Sequence, residues 1–453
     1  MARLIFDLTT SCYWAGPPVG IVRVERQLAR LAFQDATPIV FSVFNQATKR
    51  FGRLPTEVAL AVIEGKAGLQ LPKPAARPQR SLLAKLLRQP RKSFVRVLRE
   101  PRKSLVASQR RLAAALLKSI DAQGRLIPQH PSVPPQCHRY PFLDVVTEPL
   151  SLAQSDTMFS CGHDWMNKDI FAIRDLKCRD KFRYVGFCHD VIPWKFPQYY
   201  SINSQSVFVS YLAELSRFAD KVLVLSECVR RDYLEFCAHF MTSRPSIAKT
   251  SLPHWPAPDA EPETDQVAAL AGTPFVLFVS TIEPRKNHRL AYLVWERLVA
   301  QDEIPSDVRL VFAGRFGWEG QPPNELVYEI RQNRTVRDRI VLIEKASDAE
   351  ISWLYRNCLF TIFPSAYEGY GLPAVESLRH GKVCVAAAEG ALPEVLGGQG
   401  VLLDPFDLPS WRRTLSELIN DRGLLEARSA QITPPTAQAD EDLAAAFRAL
   451  VMS

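Results

Sequence analysis

The sequence predicts an α/β protein of two domains, and three observations predict it. Apolar runs of strand length recur along the chain, each followed by a loop with Gly, Ser or Pro and then by a helical stretch. A segment rich in Pro, Ala and acids, residues 251–274, breaks this rhythm past the middle of the chain and reads as an interdomain linker. With 453 residues the chain exceeds one hydrophobic core, so two or three domains are expected.

The first element is the strand-like run Leu4-Ile5-Phe6-Asp7-Leu8, followed by a loop, Gly16 to Gly20, and an amphipathic helix from Ile21 to Arg30. Strand, glycine-containing loop and helix form the opening unit of a Rossmann-like sheet. The loop lacks the G-x-G-x-x-G fingerprint, which argues against a dinucleotide site. Residues 73–118 interrupt the pattern. They hold fourteen Lys or Arg against one acid, Glu100, so the segment carries +13 while the whole chain carries +8. An eight-residue unit from Leu87 to Phe94 recurs eleven residues later from Leu98 to Leu105, with apolar residues interleaved among the cations. Such a basic amphipathic insertion suits an anionic membrane surface, with a solvated insertion as the alternative. No aromatic platform or nucleic-acid motif accompanies the charge, so no nucleic acid partner is expected.

A Pro-rich loop, residues 127–135, precedes three strand-like runs: Asp156–Ser160, Arg183–Cys188 and Lys221–Leu225. In a parallel sheet the carboxyl ends of strands carry ligands. Here those ends are Cys161-Gly162-His163, His189-Asp190 and Ser226, the last reading as a helix N-cap. His189 and His163 are therefore cleft candidates, though a lone His is more often a packed core residue.

Beyond the linker, Phe275–Val279 reads as a strand whose loop contains Glu283-Pro284-Arg285-Lys286-Asn287. Two cations at a strand–helix junction oppose the helix dipole and suit a diphosphate instead. Strands at Val308–Ala313 and Ile340–Ile343 follow. Next, Leu359–Phe363 leads through Ala366-Tyr367-Glu368-Gly369-Tyr370-Gly371 into a helix beginning Leu372-Pro373-Ala374-Val375-Glu376. Pro in the first turn and glycines before it present backbone N–H groups and the positive end of a helix dipole, a ready phosphate site. Carboxylates cannot bind phosphate, so Glu368 and Glu376 beside it more plausibly accept hydrogen bonds from sugar hydroxyls. A further strand, Lys382–Ala387, and helices at Trp411–Ile419 and Asp440–Leu450 complete the chain.

The opening run is strand-like rather than leader-like, and no apolar stretch reaches the roughly 18 residues a membrane span needs. Nine scattered cysteines without a Cys-x-x-Cys pair fit reduced thiols, so the expected location is cytoplasmic.

Glu368 and Glu376, with Gly369-Tyr370-Gly371-Leu372-Pro373 between them, resemble the signature of the family-four retaining glycosyltransferases. The Gly20-Ile21-Val22-Arg23-Val24 stretch is similar to the first loop of the bacterial mannosyl- and rhamnosyl-transferase branch. The resemblance implies GT-B architecture, two domains facing a central cleft. Its parts would be an acceptor-side Rossmann-like domain (1–250), the linker, a nucleotide-sugar-binding domain (275–430) and a final helix (431–453) returning to the first. It implies a retaining hexosyltransferase taking mannose or a deoxyhexose from a GDP- or dTDP-linked donor to a glycan or lipid-linked acceptor in polysaccharide or lipopolysaccharide synthesis. No metal or other cofactor is implied. His189 and Glu368 would be catalytic; Arg285, Lys286, Gly369, Gly371, Leu372 and Glu376 would bind donor; Gly20, Arg23 and His163 would line the cleft. The location it implies is peripheral, at the inner face of the cell membrane. A sugar-phosphate phosphorylase or epimerase of the same fold, or a membrane-held scaffold without catalysis, is the alternative.

Overall fold

The computed structural model describes residues 3–14, 20–34, 38–70, 138–146, 149–240, 244–253, 261–262, 264–315, 324–434 and 439–453. The basic segment 73–118 and the Pro-rich loop 127–135 lie outside the described residues.

The first half builds a seven-stranded sheet from β1 (Leu4–Asp7), β2 (Ile39–Asn45), β3 (Arg50–Leu54), β6 (Thr157–Ser160), β7 (Arg183–Phe187), β8 (Lys221–Val224) and β9 (Ser246–Lys249). Their order is β3-β2-β1-β6-β7-β8-β9, and only the β2–β3 pair is antiparallel. Strands β4 (Ala67–Gln70) and β5 (His138–Pro141) pair separately. The second half builds a six-stranded, all-parallel sheet from β10 (Phe275–Val279), β11 (Arg309–Ala313), β12 (Ile340–Ile343), β13 (Thr361–Phe363), β14 (Cys384–Ala387) and β15 (Val401–Leu403). Its order is β12-β11-β10-β13-β14-β15.

Both sheets are covered on two faces, as parallel strands require. In β1, Leu4 and Phe6 enter one core while Ile5 enters the other. In β10, Phe275 and Leu277 pack with Trp353, whereas Val276 and Phe278 pack with Trp295. The two-residue alternation of side chains across a strand produces this division. The β2–β3 hairpin, β9, β15 and the helix Thr9–Tyr13 were not expected from the sequence. That short helix replaces the direct passage from β1 into the loop, because Thr9 caps back on Asp7: its N–H and hydroxyl both donate to the Asp7 carboxylate, the hydroxyl at 2.5 Å.

A buried charge cluster underlies the ends of β1 and β6. The Lys168 ammonium, with no exposed side-chain area, pairs with Asp7 and, at 2.6 Å, with Asp164. Neighbouring Glu25 accepts from the Ser11 N–H at 2.6 Å, and burial pushes its carboxyl up to about 8. Buried charges survive only when paired and hydrogen-bonded. These contacts fix the Thr9–Tyr13 helix, whose Thr10 hydroxyl accepts from the His163 N–H at 2.7 Å and so sets the loop after β6.

The last helix, Ala439–Met452, lies on the first sheet. Phe447 meets Phe159 of β6 edge-on, with ring centres 5.3 Å apart. Lys221 and Arg183 donate to the carbonyls of Leu450 and Met452 at 2.7 and 2.6 Å, satisfying groups that a helix end leaves open. Among the described residues, no helix is long and apolar enough to cross a membrane.

Candidate functional site between the two sheets

In both sheets the strand ends that carry ligands face the same cleft, and contacts across it are specific. Gly369 shows the closeness of fit: a Cβ there would stand 2.5 Å from the His189 carbonyl oxygen and 2.7 Å from Asp190 Cβ. The Ser226 hydroxyl donates to the Gly369 carbonyl at 2.8 Å while also capping its own helix at the Val229 N–H. Glu394 of the second domain accepts from the N–H groups of Glu227 and Cys228, at 2.8 and 3.3 Å, at the start of the first-domain helix Glu227–His239. A carboxylate there is favoured by the helix dipole. The Tyr367 hydroxyl donates to Asp232, which also holds Lys195 at 2.6 Å.

Glu368 is the centre of the second-domain half. Its side chain is 8% exposed and meets Lys286 Nζ at 2.5 Å and Arg285 Nη1 at 3.0 Å. Burial pushes the Glu368 carboxyl up, but the two cations outweigh it and hold it at about 2, so the group is ionised at neutral pH. Arg285 is further tied to Glu283 at 2.8 Å and to the Tyr367 carbonyl at 2.7 Å. The structure thus brings Arg285 as firmly into the site as Lys286. It also pairs both cations with carboxylates.

Gly371 precedes the helix Leu372–Arg379 with φ of +94°, a left-handed conformation that glycine adopts without strain. The Ala374 and Val375 N–H groups donate to the Gly371 carbonyl at 3.0 and 3.3 Å, while the Leu372 side chain packs on the first domain's core. Glu376, a turn further on, accepts from Arg23 of the first domain at 2.7 Å. Arg23 also reaches Asp348 at 2.6 Å.

On the first-domain side, the His189 Nε2 lies 2.8 Å from the Cys161 carbonyl oxygen. A carbonyl only accepts, so Nε2 carries the proton and Nδ1 is left as an acceptor. Burial lowers the ring to about 3, which keeps it neutral. Asp190 beside it is raised, by burial first. His163 is also neutral, pulled down to about 4 by burial, and stacks edge-on to Trp165 with ring centres 4.9 Å apart. Gly20 opens the helix Gly20–Gln34 and is exposed, with nothing within 4 Å of an added Cβ. It takes no part in the cluster around Glu368. Among the described residues, no group of three or more His, Cys, Asp or Glu is placed to hold a metal ion.

Asp232, Glu283, Tyr367 and Glu394 also line the cleft and were not singled out from sequence. Tyr367 was visible beside Glu368, and Asp348 follows the N-cap Ser347 of a capping box with Glu350. Nothing in their local pattern shows that they cross between domains.

Residues 260–433 match the family described as glycosyl transferases group 1. The match takes in the whole of the second sheet. The chain is similar to O-antigen chain mannosyltransferase B of Escherichia coli, 26% identical over 267 residues covering 54% of this chain and 66% of that protein. It is also similar to the serotype-specific mannosyltransferase WbdA of Escherichia coli, 24% identical over 268 residues covering 57% of this chain and 32% of that one. It therefore spans just under two thirds of the first relative's length and about a third of the second's. Among solved structures, sucrose-phosphate synthase from Thermosynechococcus elongatus aligns over 100% of this chain and 96% of its own, with a TM-score of 0.56 and 13% identity. The fold is GT-B, and the matched region supplies Arg285, Lys286, Glu368 and Glu376 to its cleft.

Proposed function

We propose that the chain is a retaining hexosyltransferase. It moves mannose or a deoxyhexose from a GDP- or dTDP-linked donor to a glycan or lipid-linked acceptor in surface polysaccharide synthesis. One observation carries this reading: in the region that matches group 1 glycosyl transferases, two cations, two acids and a helix N-terminus converge at strand ends opposite His189. The similarity to O-antigen mannosyltransferases supports the choice of sugar and process.

In this reading the Glu376 carboxylate accepts hydrogen bonds from the ribose hydroxyls. Lys286, Arg285 and the N–H groups of Gly371 and Leu372 stabilise the diphosphate as the bond from the anomeric carbon to the phosphate oxygen breaks. The acceptor hydroxyl attacks from the face the diphosphate leaves, which retains configuration, and its proton passes to the departing phosphate oxygen. Glu368, fixed as an anion, accepts from hydroxyls of the transferred sugar. Neutral His189 can accept a sugar hydroxyl at Nδ1 near the anomeric centre and cannot act as an acid. No step uses a metal ion.

A thermal-shift screen of the full chain against GDP, UDP, dTDP and ADP tests the reading. A nucleotide at about 100 times its dissociation constant stabilises a fold by about 2.7 kcal/mol, so one of the four should raise the melting temperature selectively. No shift with any nucleotide would favour the scaffold alternative. The same reading seats the enzyme at the inner face of the membrane through residues 73–118. Deleting them should abolish sedimentation with vesicles containing anionic lipid while sparing donor hydrolysis; undiminished sedimentation would remove that assignment.

A further inference from the structure

Arg23 makes a fork across the cleft. It stands on the first-domain helix Gly20–Gln34, and its two Nη groups end on acids from two different second-domain elements. Nη1 donates to Glu376 Oε1 at 2.7 Å, and Nη2 donates to Asp348 Oδ1, in the first turn of the helix Asp348–Asn357, at 2.6 Å. The three side chains are 26%, 20% and 36% exposed, for Arg23, Glu376 and Asp348. The guanidinium therefore lies against the accessible side of Glu376. Beneath that acid the second domain is closed, with Tyr355 buried and its hydroxyl on the Pro373 carbonyl at 3.2 Å.

We propose that Arg23 is an interdomain latch that competes with the donor's ribose for Glu376, so that donor binding strips one of its two arms and leaves the Gly20–Gln34 helix held to the second domain by Arg23 through Asp348. The inference rests on the assignment of Glu376 to the ribose. A vicinal diol donating two hydrogen bonds to one carboxylate needs both oxygens on their open side, and the guanidinium already takes one. Guanidinium and diol are both donors toward that acid, so they compete for the lone pairs on its open side. The planar fork matters as well: a lysine ammonium is a point charge on a flexible stem and cannot span two acids in the same fixed geometry. The Asp348, Glu394 and Tyr367 contacts do not use Glu376, so displacing Arg23 from it loosens one point of the interface and not the whole.

The test is calorimetric titration of GDP, UDP, dTDP and ADP into the full-length parent, Arg23→Ala, Arg23→Lys and Glu376→Gln. Partly exposed ion pairs contribute modestly, so losing both arms should tighten binding of the preferred nucleotide by about tenfold in Arg23→Ala. Arg23→Lys should tighten it less, and it carries the test if the alanine variant does not fold. Glu376→Gln should weaken binding. Unchanged or weakened affinity in the Arg23 variants, with binding lost in Glu376→Gln, overturns the latch and leaves the ribose assignment standing. Unchanged affinity in Glu376→Gln, or no nucleotide binding to any of the four proteins, overturns both.

Discussion

Glu376→Ala should lower affinity for the preferred nucleotide by about a hundredfold. Hydrogen bonds to a charged acceptor contribute about 1.5–3 kcal/mol, and each 1.4 kcal/mol is a factor of ten. The proposed diol contact places two such bonds on this one carboxylate. The fold should tolerate the change, because the side chain sits at the cleft and Arg23 keeps Asp348 as a partner. Isothermal titration calorimetry with a parallel melting curve separates the two effects. Parent-like affinity in a folded variant would remove Glu376 from the nucleoside site.

Lys286→Ala should reduce kcat by about two to three orders of magnitude, the usual consequence of removing one preorganised group from the place where negative charge develops. The nucleotide's dissociation constant should move much less, because Arg285 remains and the developing charge is larger than that of the bound donor. The same variant has a signature in pH. Glu368 sits at about 2 in the folded protein, below the ordinary carboxylate value of about 4.3. Its pairing therefore contributes stability above pH ~4.3 that is lost as pH falls toward 2. Removing one of its two cations should lower the melting temperature clearly at pH 7 and progressively less toward pH 3. An equal loss at both pH values would show that Lys286 acts on the fold through something other than Glu368. A kcat within a few-fold of the parent would remove Lys286 from the leaving-group site.

Much of the second domain was legible because its strands are two-sided apolar runs. Phe275–Val279 and Ile340–Ile343 were read with the bounds the structure gives them. The helix after Gly371 was legible from Pro373 and the glycines, whose conformational demands are local. Thr361–Phe363 and Val401–Leu403 are three residues each, too short to show a period; the first was read within the longer apolar run Leu359–Phe363, and the second was missed. The β2–β3 hairpin went unread because its antiparallel edge breaks the strand–helix alternation that organised the reading. In the site, the residues were visible and their pairings were not. That Glu368 would be paired with both cations depends on how the loops after two strands of one sheet meet, and that Glu376 would meet Arg23 depends on how two sheets approach. No local pattern encodes that approach. His189 was placed at a strand end from sequence, yet its protonated nitrogen follows from the Cys161 carbonyl, a contact between separate loops.

The seating of the Ala439–Met452 helix on the first sheet has a consequence for how the protein is made. Phe447 and Val451 belong to the first domain's core, but the ribosome delivers them after the whole of the second domain. The first domain cannot bury that face when its own strands emerge. Domains usually fold as units, N-terminal first during synthesis; here the N-terminal unit stays incomplete until the second domain has emerged as well. Its last folding step is a docking event that draws both halves together.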